Sequence, residues 1–229
     1  MSLPCEALHF PEAAEMPESK RHLKLRTFIY EVLERTFGDR AAIGSDQFVY
    51  YRANDPRKCV APDAFVCMGG LNDNFPSWKT WERGAPQLAV EIASPHEPWE
   101  EKLVHYREAG VLELVLFEPE AEVGQRLRIW HREGEQLVER AVVGESAPAV
   151  VLGGSWLVGE SPIDKACLRL KNADGELLLS EREARQTAER ERQTAERERQ
   201  TAERERQTAD ARAAELEAEV RRLRAAAGR

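Results

Sequence analysis

Between Ser19 and Gly38 the apolar residues Leu25, Phe28, Ile29, Val32, Leu33 and Phe37 recur at three- and four-residue steps, the spacing of one face of an α-helix. Ser19 is placed to cap the start and Gly38 to close the end, so the pattern predicts an amphipathic helix from about 19 to 37. The period then changes. Short runs rich in β-branched and aromatic residues predict strands around Gln47 to Arg52, at Ala64 to Met68, at Leu88 to Ala93 and at Leu112 to Phe117. Asn54 to Lys58 reads as a turn, and Gly69 to Asn74 as a loop. Pro98 to Ala109, stopped by Gly110, reads as a helix between the last two strands. Strand, short helix and strand in that order predict a right-handed crossover onto a central sheet. Arg126 to His131, Gln136 to Val142 and Val150 to Leu152 predict short antiparallel strands flanking it. The fold class is mixed α/β, a central sheet with helices packed on it.

Both ends depart from this pattern. Residues 1–18 carry Pro4, Pro11 and Pro17 among acidic residues and read as a lead-in. From 181 to 229 the chain is a charged helix: the heptad RQTAERE at Arg185 to Glu191 repeats at Arg192 to Glu198 and again at Arg199 to Glu205. The period holds Ala188, Ala195, Ala202, Ala209, Leu216 and Leu223 in one register. The companion seam position is Arg192, Arg199 and Arg206 before it becomes Ala213 and Val220. Only the last heptads therefore resemble a coiled-coil core, and they predict self-association there; a solvated helix stiffened by Arg–Glu neighbours is the competing reading. The expected layout is a lead-in over 1–18, one domain over 19–180 and the heptad helix over 181–229.

Composition narrows the picture. At 229 residues, 42% hydrophobic and 32% charged, the chain can bury one substantial core. Cys5, Cys59, Cys67 and Cys167 are scattered without a C-x-x-C pair, which suggests neither a zinc site nor a disulfide framework and fits a reducing cytoplasm. No apolar run approaches the roughly 18 residues of a membrane span, so a cytoplasmic protein with no membrane partner is expected. The net charge is −8, and the tail from Glu181 holds 13 arginines against 12 acidic residues, so the deficit lies in the body. An acidic body disfavours tight, salt-driven binding to nucleic acid without excluding a local basic track.

The informative chemistry lies between Ala61 and Lys102. Glu91 interrupts the apolar run Leu88 to Ala93, and Asp63 follows Pro62 at the start of another strand. An unpaired buried carboxylate costs several kcal/mol, and a cation shared by the two would offset that cost. If their strands are neighbours, hard oxygen ligands in that number suit Mg²⁺ or Mn²⁺, with an activated water as nucleophile. Lys102, on the following helix, could face the same point and stabilise charge developing on a phosphate. The plainer readings are an ion pair for Glu91, a cap for Asp63 and a surface lysine for Lys102. Glu31 and Glu34 could add a ligand from the first helix, and Gln47 could approach from the preceding strand. His96 and His105 invite a general-base role but read better as loop and helix residues. Trp78 and Trp81 could stack on a nucleotide or form one packed face.

The ordered set APDAFV at Ala61 to Val66, WKTWERG then Pro, LAVEIASP at Leu88 to Pro95, EKLVHYREAGV at Glu101 to Val111 and LELVLFEP ending at Pro119 resembles the Uma-type restriction endonuclease-like family. That family lies within the PD-(D/E)XK nuclease superfamily, and the resemblance spans roughly 19–160. It implies a restriction endonuclease-like sheet and a Mg²⁺- or Mn²⁺-dependent endonuclease acting on DNA. Asp63 and Glu91 match the family's metal-binding carboxylates, and Lys102 matches its lysine, moved from the strand to the helix; Ala93 stands where the superfamily pattern has Lys. The loop from Ser94-Pro95 to Lys102 is shorter than relatives carry and lacks their Asp, and Leu114-Val115 and Glu118-Pro119 replace the family's Tyr-Trp and Asp-Pro. The short loop frames an alternative: a disarmed nuclease fold acting in binding or assembly through its helical tail.

Overall fold

The computed structural model describes residues 18–93 and 99–227. Helix α1 (Lys20–Phe37) forms as the spacing predicts: Ser19 Oγ accepts from His22 N at 3.1 Å, Gly38 closes the last turn, and the six apolar residues of the stripe are the buried ones. There follow β1 (Ala41–Gly44), β2 (Val49–Tyr50), β3 (Cys59–Val60), β4 (Ala64–Met68), β5 (Trp78–Lys79), α2 (Thr80–Arg83), β6 (Leu88–Ile92), α3 (Trp99–Ala109) and β7 (Glu113–Phe117). The chain continues through β8 (Leu127–Glu133), β9 (Gln136–Arg140), β10 (Ser146–Ala149), β11 (Gly154–Gly159), β12 (Cys167–Asn172) and α4 (Glu181–Ala227). Residues to Glu181 form one compact unit and those from Arg182 a second. Among the described residues, no helix is long and apolar enough to cross a membrane.

A six-stranded mixed sheet in the order β1-β4-β6-β7-β8-β9 is the centre of the first unit. β6 and β7 run parallel, and α3 lies between them in the chain; the other neighbours pair antiparallel. Every residue of β6 and β7 is buried, as expected of strands covered on both faces. Side-chain alternation divides the covering layers. On one face Val66, Val90, Val115 and Ile129 pack with the α1 stripe and with Trp156 and Leu168 of the sheet β10-β11-β12. On the other, Phe65, Ala89, Leu114, Leu116 and Trp130 pack with Tyr106 of α3 and with Val49 and Trp78 of the sheet β3-β2-β5.

Several short elements differ from the sequence reading. The strand expected around Gln47 to Arg52 shortens to Val49–Tyr50, which follows the bend at Asp46 (φ 58°), and the sheet edge is the separate run β1, Ala-Ala-Ile-Gly. Val150 to Leu152 is a turn that ends at Gly153 (φ 72°), with β10 and β11 on either side. The Trp-bearing segment supplies β5, parallel to β2, and a single helical turn.

Candidate active site

Two neighbouring strands set the site. Ala64 pairs with Val90 and Phe65 with Ala89 in the antiparallel register of β4 and β6, and one further step sets Asp63 opposite Glu91. Pro62 fixes φ just before this point, so the chain enters β4 with Asp63 at the sheet's end. Alternation puts Glu91 on the face of Ala89, the face that α3 covers. Both carboxylates are buried, Asp63 at 7% exposure and Glu91 at 2%.

The partners divide these oxygens between layers. Asp63 Oδ2 accepts from the N–H of Ile92 at 2.7 Å, tying it to the residue after Glu91. Asp63 Oδ1 lies 2.7 Å from His22 Nε2 on the first turn of α1, and the Asp63 carbonyl accepts from Ser45 Oγ at 2.8 Å. Glu91 Oε2 accepts from Lys102 Nζ at 2.8 Å, and Glu91 Oε1 accepts from the Tyr106 hydroxyl. Lys102 and Tyr106 are four residues apart on α3 and so share one helix face. The Lys102 side chain keeps 25% of its surface exposed, so its ammonium stands between the buried carboxylate and solvent.

Electrostatics follow from this burial. Desolvation is the largest influence on Glu91 and pushes its pKa up to about 7 against the pull of Lys102, and the charge of Asp63 pushes it further in the same direction. His22 is raised, chiefly by its hydrogen bond to Asp63, with burial opposing. Two acids side by side, one of them reluctant to ionise, make a place where a cation is worth more than in water. Among the described residues no group of three or more His, Cys, Asp and Glu is placed to hold a metal. Two carboxylates are nevertheless the protein share that Mg²⁺ commonly takes, its other positions going to water and phosphate.

Of the sequence candidates, Asp63, Glu91 and Lys102 come together. The other candidates lie elsewhere or are engaged elsewhere. Glu34 accepts from Asn72 Nδ2 at 2.8 Å, and at 1.5 Å rise per residue Glu31 and Glu34 sit about 13 and 18 Å along α1 from His22. Gln47 bonds Ser45 N and the Phe75 carbonyl. His105 Nδ1 is 2.5 Å from the Tyr51 hydroxyl. Trp78 is fully buried, its Nε1 donating to Gly84 O, while Trp81 is 41% exposed. His96 lies outside the described residues. His22 and Tyr106 are the contacts that sequence reasoning did not assign. For Tyr106 the four-residue step from Lys102 was a usable signal; for His22, 41 residues from Asp63, no local pattern pointed to it.

A mixed sheet flanked by helices, with this acid pair at the junction of β4 and β6, is a restriction endonuclease-like fold. The chain belongs to the Uma2 family, described as "Putative restriction endonuclease", whose model matches residues 12–157. Among solved structures it is similar to a protein described as a putative nuclease belonging to DUF820 from Anabaena variabilis. The two share 16% identity over 56% of this chain and 73% of that one, with a TM-score of 0.39. No curated protein matches the chain.

Proposed function

We propose that the protein is a metal-dependent endonuclease that hydrolyses phosphodiester bonds in DNA, with Asp63, Glu91 and Lys102 as its catalytic set. The observation that supports this reading most is the opposed pair Asp63 and Glu91, buried together and completed by Lys102 at 2.8 Å. Family membership adds the nuclease class.

Asp63 and Glu91 would hold Mg²⁺ or Mn²⁺, which when bound supplies Lewis acidity toward a phosphoryl oxygen and makes water a stronger acid. The rest is the work of the chain's own groups. Tyr106 and Ile92 N–H orient the two carboxylates from behind, so that their remaining lone pairs are held in place before substrate arrives. Lys102 favours the ionised form of Glu91 and offers an ammonium at the solvent side, where charge on a phosphate develops. His22 holds Asp63 from the α1 layer.

The disarmed alternative rested on a loop too short to bring Lys102 to the acids. Lys102 Nζ lies 2.8 Å from Glu91 Oε2, which supports the active reading. Supercoiled plasmid incubated with the full chain and Mg²⁺ or Mn²⁺ tests the reading: nicked or linear product is expected from wild type and none from Glu91→Ala. Equal product from both preparations would sink it.

A further inference from the structure

In the 47-residue helix α4 every residue from Thr187 to Arg224 is exposed, Leu216 at 59%, Val220 at 46% and Leu223 at 62%. We infer that the occupant of this face is a second copy of the same helix, in a parallel two-stranded coiled coil whose apolar core is the last two heptads. The argument starts from period. A strict seven-residue repeat drifts around a straight α-helix and becomes a continuous seam only when two helices wind left-handedly around each other. With Ala188, Ala195, Ala202, Ala209, Leu216 and Leu223 at d, position a is Arg192, Arg199, Arg206, Ala213 and Val220. Ala213, Leu216, Val220 and Leu223 then form consecutive a/d layers, with β-branched Val at a and Leu at d, a choice that favours two parallel strands.

Flanking charge in the last two heptads fits the same partner, whereas the preceding heptads would set Glu191, Glu198 and Glu205 at g against Glu196, Glu203 and Asp210 at e. In a parallel pair, position g of one helix meets position e of the next heptad on the other. Arg212 at g then meets Glu217 at e, and Glu219 at g meets Arg224 at e, each contact occurring twice by symmetry. In the preceding heptads the glutamates at e are bonded within their own helix, Glu189 by Gln193, Glu196 by Gln200 and Glu203 by Gln207. The glutamates at g, Glu191, Glu198 and Glu205, are those that a parallel partner would set beside its arginines at a. The arginine layers thus specify register and contribute little cohesion, while the last two heptads supply the contact. A dimer of this kind carries two copies of the Asp63–Glu91 pair in one particle, and its existence does not depend on the nuclease reading.

Sedimentation equilibrium on the full chain tests the inference. Twice the chain mass is expected for wild type, and the single-chain mass for Leu216→Lys combined with Leu223→Lys. The region from 181 to 229 has no Trp, Tyr or Phe, so an unchanged near-ultraviolet circular dichroism spectrum certifies the body of each variant. Arg212→Glu alone is expected to weaken association about tenfold, and adding Glu217→Arg to restore it. A wild-type chain that stays single, or a dimer indifferent to the two lysines, overturns the proposal. Restoration by Glu219→Arg in place of Glu217→Arg also overturns it, because Arg212 meets Glu219 only in an antiparallel pair.

Discussion

Burial of Glu91 at 2% exposure beside a second acid sets the chemistry at the residue scale. Its pKa is raised to about 7, above the ordinary 4.5, so the folded protein without metal binds more protons than the unfolded chain between those values. Stability therefore falls as pH rises from about 4.5 through about 7, by as much as about 3 kcal/mol if the whole shift is expressed. His22, also raised, contributes in the same direction near neutrality, since its favourable pairing is lost as pH climbs through its folded-state value. Denaturant titrations at stepped pH in chelator are expected to show this fall, and Glu91→Gln to flatten most of it; a stability that rises across the window would contradict the burial argument. Lys102→Met removes the partner that opposes the shift, so its fall should be steeper, with cleavage reduced at least about a hundredfold. Glu91 stood out in the sequence because it interrupts the apolar run Leu88 to Ala93, while Asp63 and Lys102 were singled out beside it through the ordered motifs. His22 was not, because its partner lies in another layer and only the packed fold brings them together.

At the scale of elements, long periodic segments were readable and short ones were not. The α1 stripe, β4 and the core of β6 coincide with their expected spans because each has a clear period and a cap, proline or turn at its end. β1 is only four residues, Ala-Ala-Ile-Gly, and β11 is bounded by Gly154 and Gly159, so neither carries the sustained β-branched alternation that marks a strand. Leu112 to Phe117 read as simply apolar, yet it contains Glu113, 1% exposed. Its carboxylate accepts from Trp156 Nε1 at 2.6 Å and from Val151 N at 2.7 Å, fastening the sheet β10-β11-β12 to β7. Burial raises its pKa while those two donors resist. Glu113→Ala leaves two buried donors unpaired and should cost about 2–4 kcal/mol in denaturant unfolding. Glu113→Gln, which keeps an acceptor, should cost less than half as much; equal losses would mean that packing and not the hydrogen bonds is responsible.

The whole molecule divides into a folded body that holds the site and a helix whose residues from Thr187 to Arg224 are exposed. Heptads in the tail were visible at once because a repeat needs no tertiary information, whereas the layering of the body follows from which strands pair. A chain ending at Ser180 should keep the thermal midpoint of the body within about 2 °C, since the two units are separately compact. A large drop would show that the tail supports the body.

The proposed nuclease function turns on whether Asp63 and Glu91 share one cation. Calorimetric titration of the metal-free chain with Mn²⁺ near pH 8 is the direct measurement, taken where Glu91 is ionised. One site per chain is predicted for wild type, with binding lost in both Asp63→Asn and Glu91→Gln. Unchanged Mn²⁺ affinity in either variant would place the metal elsewhere and leave the buried acids as a purely structural pair.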